Sequence, residues 1–343
     1  MVDTAYDRLK AQIGVQRDTQ YISRRARSVA LDETTFNRLG SCARPIYLGN
    51  PSSGVTQAAD GSVVDEWGVT WRSAGPGHHY NPVGNPLRSA DKEDLESYPW
   101  PDPDDPGWTR GLREAAGRAS AEGHFAVALS LPSAVVHLSQ YLRGYEEYLM
   151  DLVIDPGFAA RLMERVADVY VRIVTNAMDV VGDQVDVVLF GDDIAFQDRP
   201  MVRPDVYREL IKPHHRRIIE AIKGRSAAAV LYHCCGAVTD LIPDFIDIGV
   251  DALNPVQVSA VGIGDTVRLK REFGRDLTFW GGIDTHHVLP RGTPADVRDE
   301  VRRRIEDLAT GGGYVVAAVH NIQDDVPPEN ILALADAVRE FAG

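Results

Sequence analysis

From about residue 124 the chain settles into a rhythm, and that rhythm limits its fold more than any single motif. Short apolar or β-branched runs alternate with long amphipathic segments. The runs fall at residues 125–131, 185–190, 228–232, 252–255, 277–280 and 314–319. The spacing predicts helices over 137–150, 157–181, 204–223, 238–248, 265–273, 294–309 and 328–342. Proline in the first turn marks two helix starts, at Pro294 and Pro328, and Gly224 and Gly249 sit where helices should stop. Strands that alternate with helices imply a parallel sheet. The six runs, a seventh at 44–48 and one more that cannot be placed approach the eight strands of a (β/α)8 barrel. An open doubly wound sheet is the rival, but no glycine-rich phosphate fingerprint follows an early strand. The expectation is therefore an α/β chain, one (β/α)8 barrel unit over residues 1–343 with an N-terminal helical and loop extension.

The extension differs in composition. Residues 1–40 read as helical and polar, and residues 41–110 are rich in Gly, Pro, Ser and aromatics. A hairpin is expected around 63–71, and the proline-dense stretch 91–108 reads as a long loop. Lys and Arg total 36 against 50 Asp and Glu, a formal charge of −14. That balance argues against sequence-independent nucleic-acid binding and against docking on anionic membranes. No apolar run reaches the ~18–20 residues of a membrane span, and the first residues carry no apolar signal core. Three cysteines, two of them adjacent, make no disulfide framework. A cytoplasmic enzyme is expected.

Barrel enzymes place their chemistry where strands end. Here the runs end in Asp192 and Asp193, in His233 and Cys235, in Asn254 and Gln257, in Asp284, and in His320 with Asn321. The sharpest feature is Tyr232-His233-Cys234-Cys235-Gly236. Residues i and i+2 of a strand share a face, so His233 and Cys235 should point together into the mouth and Cys234 away from it. An imidazole and a thiolate suit zinc, and His320 is the best third ligand. Three protein ligands would leave one position open, as in a catalytic zinc site. The bland alternative is a hydrogen-bonded buried histidine beside two core cysteines.

Two adjacent carboxylates cannot both point inward from an extended strand. One of Asp192 and Asp193 should face the cavity as acid/base, cation receptor or fourth ligand, and the other should cap the next segment. Asp284 follows Gly281-Gly282, which permit close backbone approach. His286-His287 reads as exposed loop, and His214-His215, after Pro213, as a solvent-facing helix pair. His78-His79 lies in the loop after Gly75-Pro76-Gly77. Arg24, Arg25 and Arg27 form either a solvated face or an anion receptor. Trp67, Trp71 and Trp108 read as packing residues.

These residues, in this order, resemble the uroporphyrinogen decarboxylase superfamily. The stretches that carry the resemblance are Leu142-Arg143-Gly144-Tyr145-Glu146 with Met150-Asp151-Leu152, and then Gly191-Asp192-Asp193. His233-x-Cys235-Gly236, Gly249 to Pro255, Phe279 to Asp284, His320-Asn321-Ile322 and Pro327 to Asn330 follow. The resemblance implies a (β/α)8 barrel. The arginine-rich R-Q-A-G-R-Y stretch with which the decarboxylases grip their substrate is absent; residues 44–50 read Arg44-Pro45-Ile46-Tyr47-Leu48-Gly49-Asn50. His233 and Cys235 are similar instead to the H-x-C of the zinc- and corrinoid-dependent methyltransferases. At the third ligand position, where those enzymes carry cysteine, this chain has His320, as the metal-free decarboxylases do. The resemblance implies a zinc methyltransferase acting on a small O-, N- or S-methylated donor or acceptor. Asp192 and Asp193 would be its catalytic groups, and Asn254, Gln257 and Asp284 its cofactor-binding groups. The corrinoid (cobalamin) methyl carrier would arrive on a separate partner protein. The alternative is a metal-independent decarboxylase of a carboxylated substrate. Oligomeric state stays open, although several family members pair as homodimers.

Overall fold

The computed structural model describes every residue except 53, 76, 122 and 343. Seven strands form one curled, all-parallel sheet: β1 (Ala43–Tyr47), β2 (Ala126–Ser133), β3 (Val187–Gly191), β4 (Ala229–His233), β5 (Ala252–Asn254), β6 (Thr278–Ile283) and β7 (Tyr314–Ala318). They pair in chain order, each with the next. All seven runs read from the sequence are present, and the architecture is that of a TIM barrel. The expected eighth strand is not. Among the described residues no ladder joins β7 back to β1. The N-terminus occupies that gap. Val2 forms a bridge with Ser28 and donates its N–H to the Ile322 carbonyl, and Asn321 Nδ2 donates to Ser28 Oγ. The crossing meets the chain just beyond β7 rather than pairing with the strand itself.

The extension is less helical than its composition suggested. Helix α1 (Asp3–Ile13) is followed by a hairpin of Gln20–Ser23 with Ser28–Ala30, then a short helix, Glu33–Leu39. The hairpin expected near 63–71 belongs to a small antiparallel sheet of four strands between Thr56 and Gly84. The proline-rich segment carries one short helix, Lys92–Ser97, opened by an Asp91 capping box. Trp67, Val69, Trp71 and Trp108 are buried and share one apolar cluster with strand residues Val127, Leu129, Val188 and Phe190. A second cluster joins Leu9 of α1 to Ile283, Leu289, Val297 and Ile331, sealing the β7 side.

The stretch read as one helix over 137–150 is two, α2 (Val135–Arg143) and α3 (Tyr145–Ile154). Gly144 between them has φ 100°, a conformation an ordinary residue resists. α4 (Pro156–Val181) buries a continuous apolar stripe. Next comes α5 (Lys212–Lys223), with Pro213 in its first turn. Among the described residues no helix is long and apolar enough to cross a membrane.

Gly281 fixes the shape of the mouth. Its φ is 132°, and a Cβ there would sit 1.8 Å from the Pro255 carbonyl oxygen, which accepts the N–H of Gly282. Only glycine lets β6 lie this close to the end of β5. Gly281→Ala is expected to destabilise the protein by at least ~1–3 kcal/mol from backbone strain alone. The measurement is the urea midpoint at unchanged slope.

Candidate metal centre

Strand β4 ends at His233, and its alternation sends Cys234 into the strand–helix layer, where it is buried. Cys235 turns back to the side of His233, and its Sγ lies 3.4 Å from His233 Nε2. The other ring nitrogen, Nδ1, is 2.5 Å from Asn254 Oδ1 at the end of neighbouring β5. Asn254 Nδ2 donates to the Trp280 carbonyl at 3.1 Å, so its oxygen must be the atom that faces the imidazole. His233 Nδ1 therefore donates to Asn254, and Nε2 is the nitrogen turned toward Cys235. This is how metal-bound histidines are oriented by the groups behind them. His320, just beyond β7, completes the set: ligand atoms of His233, Cys235 and His320 lie within 4.8 Å of one another. Tetrahedral zinc with bonds of ~2.0–2.3 Å separates its ligand atoms by roughly 3.3–3.8 Å. The His233–Cys235 spacing suits that, and His320 fits after a small inward turn.

The electrostatics agree. Crowding by neighbouring atoms, then the charge of His233, lowers the His320 pKa and keeps it neutral, although one side opens on a cleft. Burial, then the Asp193 carboxylate, raises the Cys235 thiol far above its ordinary range. A thiol so placed gains a reason to ionise only when a cation stands beside it. Gly236 forms the turn that follows, with φ 97°, and its N–H donates to Gln257 Oε1 at 2.7 Å. Gln257 Nε2 in turn donates to Gln197 at 2.8 Å.

The two aspartates divide as alternation requires. Asp193 faces the metal group: its Oδ1 accepts the Cys235 N–H at 2.7 Å and lies 3.8 Å from His233 Nε2. Asp192 is fully buried on the other side of the chain. It accepts the N–H groups of Val136 and His137 in the first turn of α2, both at 2.9 Å, and His215 Nε2 at 3.0 Å. Burial opposes its charge, but hydrogen bonds from His137 and His215 hold its carboxyl below the usual range. It stays ionised, as anchor of α2 rather than as a proton donor.

His215 was expected to face solvent, and that reading is corrected. The residue is fully buried among Phe190, Tyr207 and Tyr232, because α5 turns the face of His215, Ile218, Ile219 and Ile222 inward. His137, unnoticed in the sequence, stands beside both aspartates. Its Nδ1 is 3.3 Å from Asp192 Oδ1 and its Nε2 3.8 Å from Asp193 Oδ2. Its ring stacks on Tyr141, with centroids 5.9 Å apart.

Asp284 binds its own turn, accepting the N–H groups of His286 and His287 at 2.6 and 3.2 Å. His286 and His79 line a cleft of about 480 Å³ together with His320, Asn321, Gln323 and Ser28. His79 is held by Gln323 at 3.2 Å, and Pro76 of its loop lies outside the described residues. The arginine cluster disperses into internal pairs: Arg25 with Asp65, and buried Arg27 with Asp3 and Asp324. Removing the amide behind His233, in Asn254→Leu, is expected to weaken zinc binding roughly 10–100-fold. Competition with a chromophoric chelator measures it.

Known proteins place this arrangement. The family model for uroporphyrinogen decarboxylase matches residues 77–341. The chain is 27% identical over 193 residues to a uroporphyrinogen decarboxylase of Actinobacillus succinogenes, covering 55% of this chain and 50% of that protein. It is 25% identical over 159 residues to a methylated-thiol–coenzyme M methyltransferase of Methanosarcina mazei, covering 44% of this chain and 39% of that protein. The matched stretches thus span half or less of these relatives' length. Among solved structures, a methyltransferase from Methanosarcina mazei superimposes with TM-score 0.65 at 17% identity, over 90% of this chain and 83% of that one. The barrel, and the long family match that runs through the ends of β2 to β7, establish that this chain belongs to the uroporphyrinogen decarboxylase family.

Proposed function

We propose that this protein is a zinc-dependent methyltransferase of the cytoplasm that moves a methyl group between a small methylated substrate and a corrinoid carried by a partner protein. One observation carries the reading: His233 turns its Nε2 toward Cys235 Sγ, 3.4 Å away, because Asn254 holds its other nitrogen, and His320 closes the group. His233, Cys235 and His320 would hold the ion, and among the described residues no fourth ligand joins them. An ion held by three protein groups supplies a Lewis acid with a place for a guest heteroatom. Asn254 fixes the ring that binds it, and Gln257 fixes the Gly236 turn that positions Cys235. Asp193 brings a negative charge to the rim. The cleft beside His320 gives the guest its entry. The similarity to a methylated-thiol methyltransferase supports the reaction class. The absence of the R-Q-A-G-R-Y stretch at residues 44–50 counts against decarboxylation of a polycarboxylate.

The test is metal analysis of the purified protein, followed by methyl transfer from simple methyl ethers, amines and thioethers to free cob(I)alamin. About one zinc per chain is expected for a site of this kind. A zinc-free protein that retains full activity, or one that releases carbon dioxide from a candidate acid and ignores chelators, overturns the reading.

A further inference from the structure

Two carboxylates flank His137, and both are engaged elsewhere. Asp192 is sealed from solvent and saturated by two backbone N–H groups and an imidazole. Asp193 accepts the Cys235 N–H and faces the metal group. His137 stands between them with one-fifth of its side chain exposed. Its Nδ1 has Asp192 at 3.3 Å but no aligned hydrogen-bond partner, and Nε2 has Asp193 at 3.8 Å. The ring is thus held by charge and by stacking on Tyr141, with its Nε2 on the side of Asp193, the carboxylate that also borders His233. A partly exposed imidazole backed by a buried carboxylate is a usual arrangement of an acid–base pair.

We propose that His137 is the proton donor of this site, delivering the Nε2 proton to the heteroatom that the departing methyl group leaves behind. The proposal rests on the methyl-transfer reading for the identity of that heteroatom. In the step, the Nε2–H bond breaks as the heteroatom–H bond forms. The heteroatom leaves as a neutral alcohol, amine or thiol, and His137 is left as a neutral imidazole backed by Asp192. Solvent reprotonates it through the open side of the ring. Reversal, with methyl transferred to the heteroatom, makes the same nitrogen the base.

The groups that face His137 are Asp192 and Asp193 from the end of β3, Tyr141 one turn along α2, and His215 of α5 beyond the shared Asp192. Burial opposes protonation of His137, but the Asp192 carboxylate beside it, then the charge of Asp193, outweigh it and raise its pKa.

The experiment has two arms on the zinc-loaded full chain. In the first, imidazole resonances are followed by NMR across pH, with His137 assigned by its absence from His137→Gln. It is expected to titrate above the ordinary ~6.5, and to move down in Asp193→Asn. Titration at or below ~6.5 overturns the proposal whatever the reaction proves to be. In the second, His137→Gln is compared with the natural protein on two methyl ethers, one with an alkoxide and one with a nitrophenoxide leaving group. Loss of a general acid should slow the alkyl ether about 100-fold or more and the activated aryl ether far less. Equal losses on both also overturn the proposal, because a role in folding or positioning has no preference for leaving groups. Bound zinc in His137→Gln should stay at the natural level. A natural protein that binds zinc yet moves no methyl group refutes the methyl-transfer reading, and the titration alone then decides the role of His137.

Discussion

His233→Ala and Cys235→Ala are each expected to leave the purified protein without bound zinc while the barrel stays folded. Each removes one of three ligands and leaves two, too few for a stable site. Loss of an outer partner such as Asn254 weakens a metal roughly 10–100-fold, and loss of a ligand should exceed that. The fold should survive because both side chains sit at the end of β4, outside the apolar clusters. Elemental analysis gives the stoichiometry, and far-ultraviolet circular dichroism checks the fold. The thiol adds a signature in pH. Burial and Asp193 keep the Cys235 proton on in the empty site, so binding must release it. Zinc affinity should climb between pH 6 and pH 8 in the natural protein and much less in Cys235→Ala. Unchanged zinc content in either variant would remove the metal centre and the proposed chemistry with it.

Asp192→Ala is expected to be the most destabilising single change in the barrel mouth. It removes a buried carboxylate that ties the first turn of α2 to β3 and, through His215, to α5. Two buried N–H groups and an imidazole would lose their acceptor, at a cost of ~3–5 kcal/mol. The pH dependence has two limbs. The native carboxyl ionises below its unfolded value of ~3.9, so its contribution is complete above that pH and fades as pH falls through the native value. The His137 imidazole titrates above its unfolded value of ~6.5, so its contribution is complete below that pH and fades as pH rises through the native value. Unfolding free energy should therefore be greatest between about pH 4 and 6.5, and Asp192→Ala should flatten both limbs. Urea titrations at several pH values measure this. An Asp192→Ala protein within ~0.5 kcal/mol of the natural one would contradict the account of the network.

Period-two alternation was enough to bring His233 and Cys235 together, because a strand leaves little choice of face. The same rule required Asp192 and Asp193 to part, but it could not say which would go inward. That depended on α2 starting beside β3, a contact between segments 55 residues apart. His215 carried a readable signal. With Ile218, Ile219 and Ile222 it forms an i, i+3, i+4, i+7 stripe, which a reading focused on the His214-His215 doublet passed over. His137 lay in the first turn of a helix that leaves the end of a strand, where side chains overhang the barrel mouth. The eighth strand failed for a different reason. Closure depends on which backbone reaches the last edge, and the N-terminal crossing at Val2 and Ser28 is a long-range event that no local pattern announces.

That crossing ties architecture to selectivity. Ala26 and Ser28, on the strip that bridges the open seam, also line the guest's chamber, whereas the family resemblance begins only at residue 77. Part of that wall therefore precedes the family match, while His79, Thr285, His286, His320, Asn321 and Gln323 lie within it. Changes at Ala26 and Ser28 would recut the leading strip while leaving His233, Cys235 and His320 alone.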